Sequence, residues 1–127
     1  MSGLAADGFE AGPSFELLYT ALRDDTLRQK AVNGVKAVIV ITLKNTTGKT
    51  QSWLLELKNQ GTVEKVAEVP PNDVQLLLTD IDFVKLVTGE SSGQELFMSG
   101  KLKVKGNAMK ASAIDTVFRQ LDPRPNL

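Results

Sequence analysis

The sequence predicts an α+β domain in which helices cover one face of a five-stranded, mixed and mostly antiparallel β-sheet. Five short segments carry the apolar pattern of strands, and other segments place apolar residues at i, i+3, i+4 and i+7, the spacing of an amphipathic helix. The length of 127 residues fits one hydrophobic core, without internal repeats or an interior linker. We therefore expect a single domain over residues 1–127, with residues 1–12 loosely held.

Two helices are predicted before the first strand. The first begins at Pro13, with Ser14 as its N-cap. A break at Asp24 leads to the second helix, for which Asn33-Gly34 supplies the stop. The apolar stripes are Phe15, Leu18, Tyr19 and Leu22 in the first helix, and Leu27, Ala31 and Val35 in the second. Both stripes require an apolar surface to pack on.

Three strands follow in the predicted order. The first, over residues 36–44, is apolar on both faces and is therefore expected in the centre of the sheet. A hairpin at residues 45–49 leads to the second strand, where Trp53, Leu55 and Leu57 share one face. The third strand, over residues 62–68, carries three charged residues and suits a sheet edge.

A fourth strand and two helices form the next predicted unit. The strand spans Val74 to Thr79, and Asp80 or Thr79 then caps a helix that Gly89 ends. That helix should direct Phe83, Val84 and Val87 toward the core. The sequence Ser92-Gly93-Gln94-Glu95 is typical of a capping box, so a short helix with Leu96 and Phe97 should follow.

The C-terminal stretch predicts one more strand and one more helix. After Gly100, residues 101–105 alternate strictly, with leucine and valine on one face and lysines on the other. Asn107 should cap a helix that starts at about Ala108 and carries an apolar stripe at Ile114, Val117, Phe118 and Leu121. The connection from strand four to strand five is expected to be a right-handed crossover if those two strands are parallel neighbours.

Composition excludes several classes of function. Fifteen basic and fifteen acidic residues give a net charge of zero, which argues against nucleic acid as a partner. The chain has no cysteine and no histidine, so thiol chemistry and histidine-based hydrolysis are excluded, and we predict no metal, no cofactor and no enzymatic activity. An enzyme that uses lone carboxylates is a distant alternative. No apolar run reaches the length of a membrane span.

Three motifs in order resemble one known family. They are FMSGKLKVKGN at residues 97–107, WLLELKN at residues 53–59, and Asp80-x-x-Phe83-x-x-Leu86-x-x-Gly89. Together they resemble the sterol carrier protein 2 domain family, and order and spacing agree from about Phe9 to Leu121. Three motifs in the family's order are far more specific than one.

The resemblance implies a lipid carrier. It implies an apolar tunnel between sheet and helices that holds long-chain fatty acids, fatty acyl-CoA, sterols or phospholipids without chemical conversion and transfers them, with transient contact to membrane surfaces. We expect a monomer. The alternative is an accessory protein-interaction domain that presents or protects peroxisomal enzymes.

Candidate site residues follow from the resemblance, position by position. The predicted lipid contacts are Trp53, Leu55, Leu76, Leu78, Phe83, Phe97, Met98, Leu102, Val104, Met109, Ala113, Ile114, Val117 and Phe118. Met109 is preferred among them, because a flexible thioether adapts to different ligands. Each has an alternative interpretation as ordinary core, since core and lining use the same residue types.

Four basic residues are candidates for head-group contacts, namely Arg23, Arg28, Lys101 and Lys103. Their alternative interpretation is a solvated face, and for the lysines also protection of a sheet edge from pairing. The row of lysines could also contact anionic lipid or coenzyme A phosphates.

The resemblance also implies a peroxisomal location. The chain ends Pro125-Asn126-Leu127, which keeps only the final leucine of a Ser-Lys-Leu address and is a poor match to it. A cytoplasmic location is the alternative.

Overall fold

A computed structural model describes Leu4, residues 6–107 and Met109. These residues form the following elements, in chain order: α1 (Gly12–Leu22), α2 (Asp25–Val35), β1 (Ala37–Lys44), β2 (Thr50–Leu57), β3 (Thr62–Val66), β4 (Val74–Thr79), α3 (Asp80–Thr88), α4 (Gly93–Met98) and β5 (Lys103–Gly106). Among the described residues, no helix is long and apolar enough to cross a membrane.

The strands form one mixed sheet in the order β3-β2-β1-β4-β5. Strand β1 is central, as predicted from its two apolar faces, and β3 is an edge strand, as predicted from its charges. The pair β1–β4 is parallel, and the other three neighbouring pairs are antiparallel. Because β4 and β5 are antiparallel, the connection through α3 and α4 is not a crossover between parallel neighbours, and the handedness rule does not apply to it.

The helices cover one face of this sheet, which confirms the predicted two-layer α+β architecture. The covered face carries the alternate side chains Ala37, Ile39, Ile41 and Leu43 of β1, all fully buried. Helix α1 contacts β3, α2 contacts β2, and α3 contacts β1 and β4. Apolar residues of all four helices and of this face form one hydrophobic cluster.

The opposite face of the sheet carries polar side chains among apolar ones. Thr42 Oγ1 lies 2.8 Å from Ser52 Oγ, and Gln75 Nε2 donates to Thr42 Oγ1 at 2.9 Å. Lys103 and Lys105 point to this face, since they pair in register with Leu77 and Gln75, and both are exposed.

Helix α1 begins differently from the prediction. It starts at Gly12 after Ala11, which provides no side-chain cap, and Ser14 is buried inside its first turn. The prediction of Ser14 as N-cap was therefore wrong. The backbone N–H groups of Glu10 and Ala11 instead donate to the carboxylate of Asp80, about 70 residues away in sequence.

Helix α2 ends later than the Asn33-Gly34 stop that was predicted. It continues through both residues to Val35, and Lys36 then takes the left-handed conformation (φ 53°) of a C-cap. Burial of Val35 explains the extension, because burying a valine stabilises by roughly 1.5–3 kcal/mol whereas a glycine inside a helix costs about 1 kcal/mol.

Helices α3 and α4 follow the prediction with two differences. Thr79, not Asp80, caps α3, and its hydroxyl accepts from Asp82 N at 3.1 Å. Phe83 is buried as expected, but Leu86 enters the core where Val84 was predicted. Leu102 is buried in the connection between α4 and β5, directly before β5 begins. The helix predicted from Ala108, with its stripe through Leu121, lies outside the described residues apart from Met109.

Candidate functional site

An aromatic stack occupies the middle of the apolar layer between sheet and helices. The Phe15 ring of α1 lies parallel to the Trp53 ring of β2, with centroids 4.3 Å apart, and to the Phe83 ring of α3 at 4.8 Å. Phe9 meets the edge of Trp53 at 5.8 Å and an interplanar angle of 78°. Three elements that are distant in sequence are thus joined by contacts between aromatic rings, which are worth more than their buried area alone.

Seven of the predicted contact residues share this apolar layer. Trp53, Leu55, Leu76, Leu78, Phe83 and Leu102 are buried, and Val104 is half-buried against the same cluster. The register explains their proximity, because Ile41 of the central strand pairs with Trp53 on one side and with Leu76 on the other. That these residues contact a ligand stays a prediction.

A segment before α1 closes one side of the stack. We call Leu4 and residues 6–11 the N-terminal strap, and three side chains from elsewhere hold its backbone. Trp53 Nε1 donates to Leu4 O at 2.8 Å, Asn45 Nδ2 donates to Gly8 O at 3.2 Å, and Asp80 Oδ1 accepts from Ala11 N at 2.9 Å. Leu4 is 1% exposed. These hydrogen bonds connect the described part of residues 1–12 to β2, β4–α3 and the β1–β2 hairpin.

A groove of about 440 Å³ lies where α1, the start of α2 and the β2–β3 turn meet. Its lining residues are Tyr19, Leu22, Arg23, Arg28, Gln60, Gly61, Thr62 and Val63. We call it the basic groove. Two of its residues, Leu22 and Val63, also belong to the buried hydrophobic cluster. The floor of the groove is therefore an outer wall of the apolar layer.

Arg28 is held firmly in the basic groove. Its guanidinium pairs with Asp25, and Nη1 also donates to Leu22 O at 3.4 Å. Gly61 packs so closely on the arginine stem that a Cβ atom there would lie 2.3 Å from Arg28 Cγ. The Glu56 carboxylate fixes the turn that ends at Gly61 by accepting from three consecutive backbone N–H groups, those of residues 59–61.

Arg23 has a different environment in the same groove. Its guanidinium lies over the Tyr19 ring, 5.9 Å from the ring centroid. Among the described residues, no carboxylate lies within ion-pair distance of it. Arg23 is exposed, so it can contact an anion without first breaking an ion pair.

The structure separates the four head-group candidates into two places. Arg23 and Arg28 lie together in the basic groove, beside β3. Lys101 and Lys103 lie at or just before β5, which is the other edge of the sheet. One head group cannot reach both pairs, because three strands at about 4.8 Å spacing lie between the two edges.

The remaining predicted contacts fall outside the described apolar layer. Phe97 is 55% exposed, Met98 77% and Met109 83%, so these three side chains lie at the surface. Ala113, Ile114, Val117 and Phe118 lie outside the described residues. The sequence-based set also omitted Phe15, although its place at the start of the α1 stripe was a signal that it packs on the sheet.

The site brings together the apolar layer and the arginines of the basic groove. The buried carboxylate of Asp80 accepts two backbone N–H groups, which leaves it a structural partner of the strap. Among the described residues, no cluster of three acidic side chains has the arrangement of a metal site. The arrangement suits a molecule with a long apolar chain and an anionic end.

Comparison with known proteins agrees with the fold. The model of the SCP-2 sterol transfer family matches residues 16–119. The solved structure of sterol carrier protein 2 from Yarrowia lipolytica, in its apo form, superposes with a TM-score of 0.87 at 42% identity, covering 98% of this chain and 100% of that chain.

Two curated relatives match over nearly their whole length. The oleate-induced peroxisomal protein POX18 of Candida maltosa is 58% identical over 122 residues, covering 95% of this chain and 96% of the relative. The fatty acid-binding protein of Yarrowia lipolytica is 44% identical over 121 residues, covering 91% of this chain and 94% of the relative.

Proposed function

Because this chain belongs to the SCP-2 sterol transfer family, we propose that it binds a long-chain fatty acid or its acyl-CoA ester in an apolar tunnel and transfers it without chemical conversion. The relative from Yarrowia lipolytica that is named a fatty acid-binding protein supports this choice of cargo. Sterols and phospholipids are further candidates. The name of the Candida maltosa relative supports a peroxisomal place of action.

One observation carries the proposal: the basic groove and the apolar layer share a wall. Leu22 and Val63 are each less than 10% exposed and belong to the core cluster, yet both line the groove that contains Arg23 and Arg28. A ligand with an apolar chain and an anionic end needs these two environments side by side.

The proposed orientation puts the carboxylate or the phosphates in the basic groove. The acyl chain then passes Val63 and reaches Leu55, its register partner on β2, and next Trp53 two residues further along that strand. The tunnel opens as the acyl chain of the ligand separates α1 from the sheet at the Phe15–Trp53 contact. Phe97 and Met98 are not part of this proposed site.

The aromatic stack fills the proposed path, so binding must move buried groups. The stacked pair Phe15 and Trp53 lies across the proposed path, at 4.3 Å between centroids. Occupancy should therefore change the environment of Trp53, the only tryptophan in the chain. This gives the binding experiment an intrinsic reporter.

The first experiment titrates delipidated protein with cis-parinaric acid, a fluorescent long-chain fatty acid, and follows energy transfer from Trp53. We expect saturable binding of about one ligand per chain at micromolar affinity or tighter, which is well within the range of apolar sites. Palmitate and palmitoyl-CoA should displace the probe. Methyl palmitate should compete more weakly, since it lacks the charge that the arginines recognise.

The same titration decides between the proposed function and its alternative. Absence of saturable binding would contradict a lipid carrier and favour an accessory domain that presents or protects peroxisomal enzymes. Competition by cholesterol in preference to palmitate would keep the carrier and replace its proposed cargo. Hydrolysis of palmitoyl-CoA during the titration would contradict transfer without conversion.

A further inference from the structure

The last two residues of α4 hold neighbouring apolar side chains out into solvent. Phe97 is 55% exposed and Met98 is 77% exposed. On either side of them, Leu96 and Leu102 are buried and anchor the segment in the core. The exposed pair therefore lies between two buried residues in the sequence.

Backbone hydrogen bonds connect the end of α4 to the turn that follows it. Both Lys101 N and Leu102 N donate to Leu96 O, at 2.8 and 2.9 Å, and Gly100 N donates to Phe97 O at 3.1 Å. Gly100 adopts a φ of +79°, which turns the chain back toward the core. Single exposed apolar residues are common on proteins, whereas two adjacent ones form a small apolar patch that a binding partner can cover.

Lysines follow this pair in the chain, on and just before the edge strand β5, where Lys103 and Lys105 point to the helix-free face of the sheet. Lys101, Lys103 and Lys105 are all exposed, and among the described residues no carboxylate lies within ion-pair distance of them. Glu95 of α4 directs its carboxylate toward the Ser92 hydroxyl at the start of that helix, 3.3 Å away. The net charge of the whole chain is zero, so this positive charge is a local feature.

We propose that Phe97, Met98, Lys101, Lys103 and Lys105, the α4–β5 surface, dock the protein on an anionic membrane. The two apolar side chains enter the interfacial region of the bilayer, and the lysines contact lipid phosphates. The inference rests on the proposed function and adds the place at which the carrier meets the membrane that supplies or accepts its cargo.

Charge complementarity and size favour a bilayer over a protein partner. A specific protein interface buries roughly 800 Å² on each side, which two side chains do not supply. A bilayer needs only a small apolar wedge beside a basic row, because the lipids adapt to its shape.

The test is flotation of the full-length protein with vesicles of phosphatidylcholine and phosphatidylserine. Wild type should bind these vesicles, with binding reduced in pure phosphatidylcholine and at high salt. The double variant F97S/M98S should lose about tenfold in partition coefficient, as expected for removing two partly buried apolar side chains. Each lysine changed to alanine should lose about fivefold.

Matched controls come from the rest of the surface. Val69 is 46% exposed and follows β3 at the other edge of the sheet, so V69S removes an exposed apolar side chain elsewhere. Lys30 is an exposed lysine of α2, so K30A removes a comparable charge. Both variants should bind vesicles as wild type does. Equal losses in the controls and in the α4–β5 variants would overturn the proposal.

A second readout reports insertion directly and does not depend on affinity. The chain has no cysteine, so M98C and V69C each give one labelling site. An environment-sensitive fluorophore at position 98 should shift to the blue on anionic vesicles and be quenched by brominated lipid, whereas the same label at position 69 should not. An unchanged spectrum at position 98 would overturn the proposal.

Failure of this inference can be told from failure of the proposed function. Binding of cis-parinaric acid in solution, without vesicles, tests the lipid site alone. Normal solution binding with vesicle binding insensitive to F97S/M98S would contradict the docking surface only. Loss of solution binding in F97S/M98S would assign these residues to the lipid site and also contradict the docking surface.

Discussion

The two edges of the sheet carry positive charge in opposite ways. At the β3 edge, Arg28 forms an ion pair with Asp25 and packs against Gly61, next to buried apolar residues. At the β5 edge, the lysines are exposed and follow two solvent-facing apolar side chains. One edge is a groove that holds an ion-paired arginine, and the other is an exposed row of lysines with no carboxylate within ion-pair distance among the described residues.

The difference shows how one chain can recognise a ligand head group at one edge and be attracted to an anionic membrane at the other. A guanidinium held in place loses little entropy when an anion binds, so it can discriminate between head groups. Flexible lysines on an open surface add long-range attraction with little discrimination. We therefore assign cargo binding to the β3 edge and membrane contact to the β5 edge, as proposals that the following variants test.

The largest expected effect tests whether a phenylalanine in the middle of the apolar layer and one close to the β5 edge differ as their burial indicates. Phe15 is fully buried between Trp53 and Phe83, so F15A should lower the free energy of unfolding by about 3–5 kcal/mol. F97A, at an exposed site, should change it by about 0.5 kcal/mol or less. Urea denaturation of both variants measures the difference.

A similar loss of stability in both variants would contradict the contrast, because Phe97 would then be a core residue. Retention of stability in F15A would mean that the aromatic stack contributes little. Trp53 fluorescence, recorded in the same titrations, reports whether the ring environment changes before global unfolding.

A smaller effect tests whether Arg28 is positioned by the β2–β3 turn. Gly61 has a φ of +73° and touches Arg28, whereas Gly48 has a φ of +90° and nothing within 4 Å of its Cβ position. Alanine at either position should cost roughly 1–2 kcal/mol of stability for the left-handed conformation. Only G61A should also weaken binding of cis-parinaric acid, by several-fold, since it displaces the arginine.

Equal affinities for the fatty acid in G61A and G48A would contradict the role of the turn in positioning Arg28. The measurement is the titration described above, made at a temperature at which both variants are folded. The free energy of unfolding of each variant is measured alongside.

The smallest effects provide a reciprocal test of the two edges. R23A should weaken fatty acid binding in solution about three- to tenfold, because it removes a charge-assisted contact that is weakened by exposure to water. The affinity for methyl palmitate should not change. K103A should leave solution binding unchanged and reduce vesicle binding. The same ranking for both variants in both assays would refute the separation of roles.

Local patterns in the sequence predicted most of the fold. Strand β4 has the predicted bounds, and the stripe of α1 is packed on the core as predicted, because periodicity of two or 3.6 directly reflects burial. The same logic placed Trp53 and Leu55 on one strand face, whereas their grouping with Leu76 followed from the family resemblance. These features depend on residues that are close in sequence.

Features that depend on distant residues escaped prediction. The partner of the Glu10 and Ala11 N–H groups is Asp80, whose own position at a helix start offered a simpler local role as a cap. The pairing of β5 with β4 required knowledge of the strand order. The sequence shows that Phe97 and Leu102 are apolar, but it does not show that Phe97 is exposed and Leu102 is buried. A tight turn between the two residues sets these directions.

The N-terminal strap is fastened through its main chain. Trp53, Asn45 and Asp80 bind the backbone atoms of Leu4, Gly8, Glu10 and Ala11, not their side chains. These contacts constrain the path of the main chain, while the burial of Leu4 and Ala11 and the packing of Phe9 on Trp53 constrain the side chains. Proline at position 10 or 11 would break the first constraint alone, because it would delete a donor that Asp80 requires.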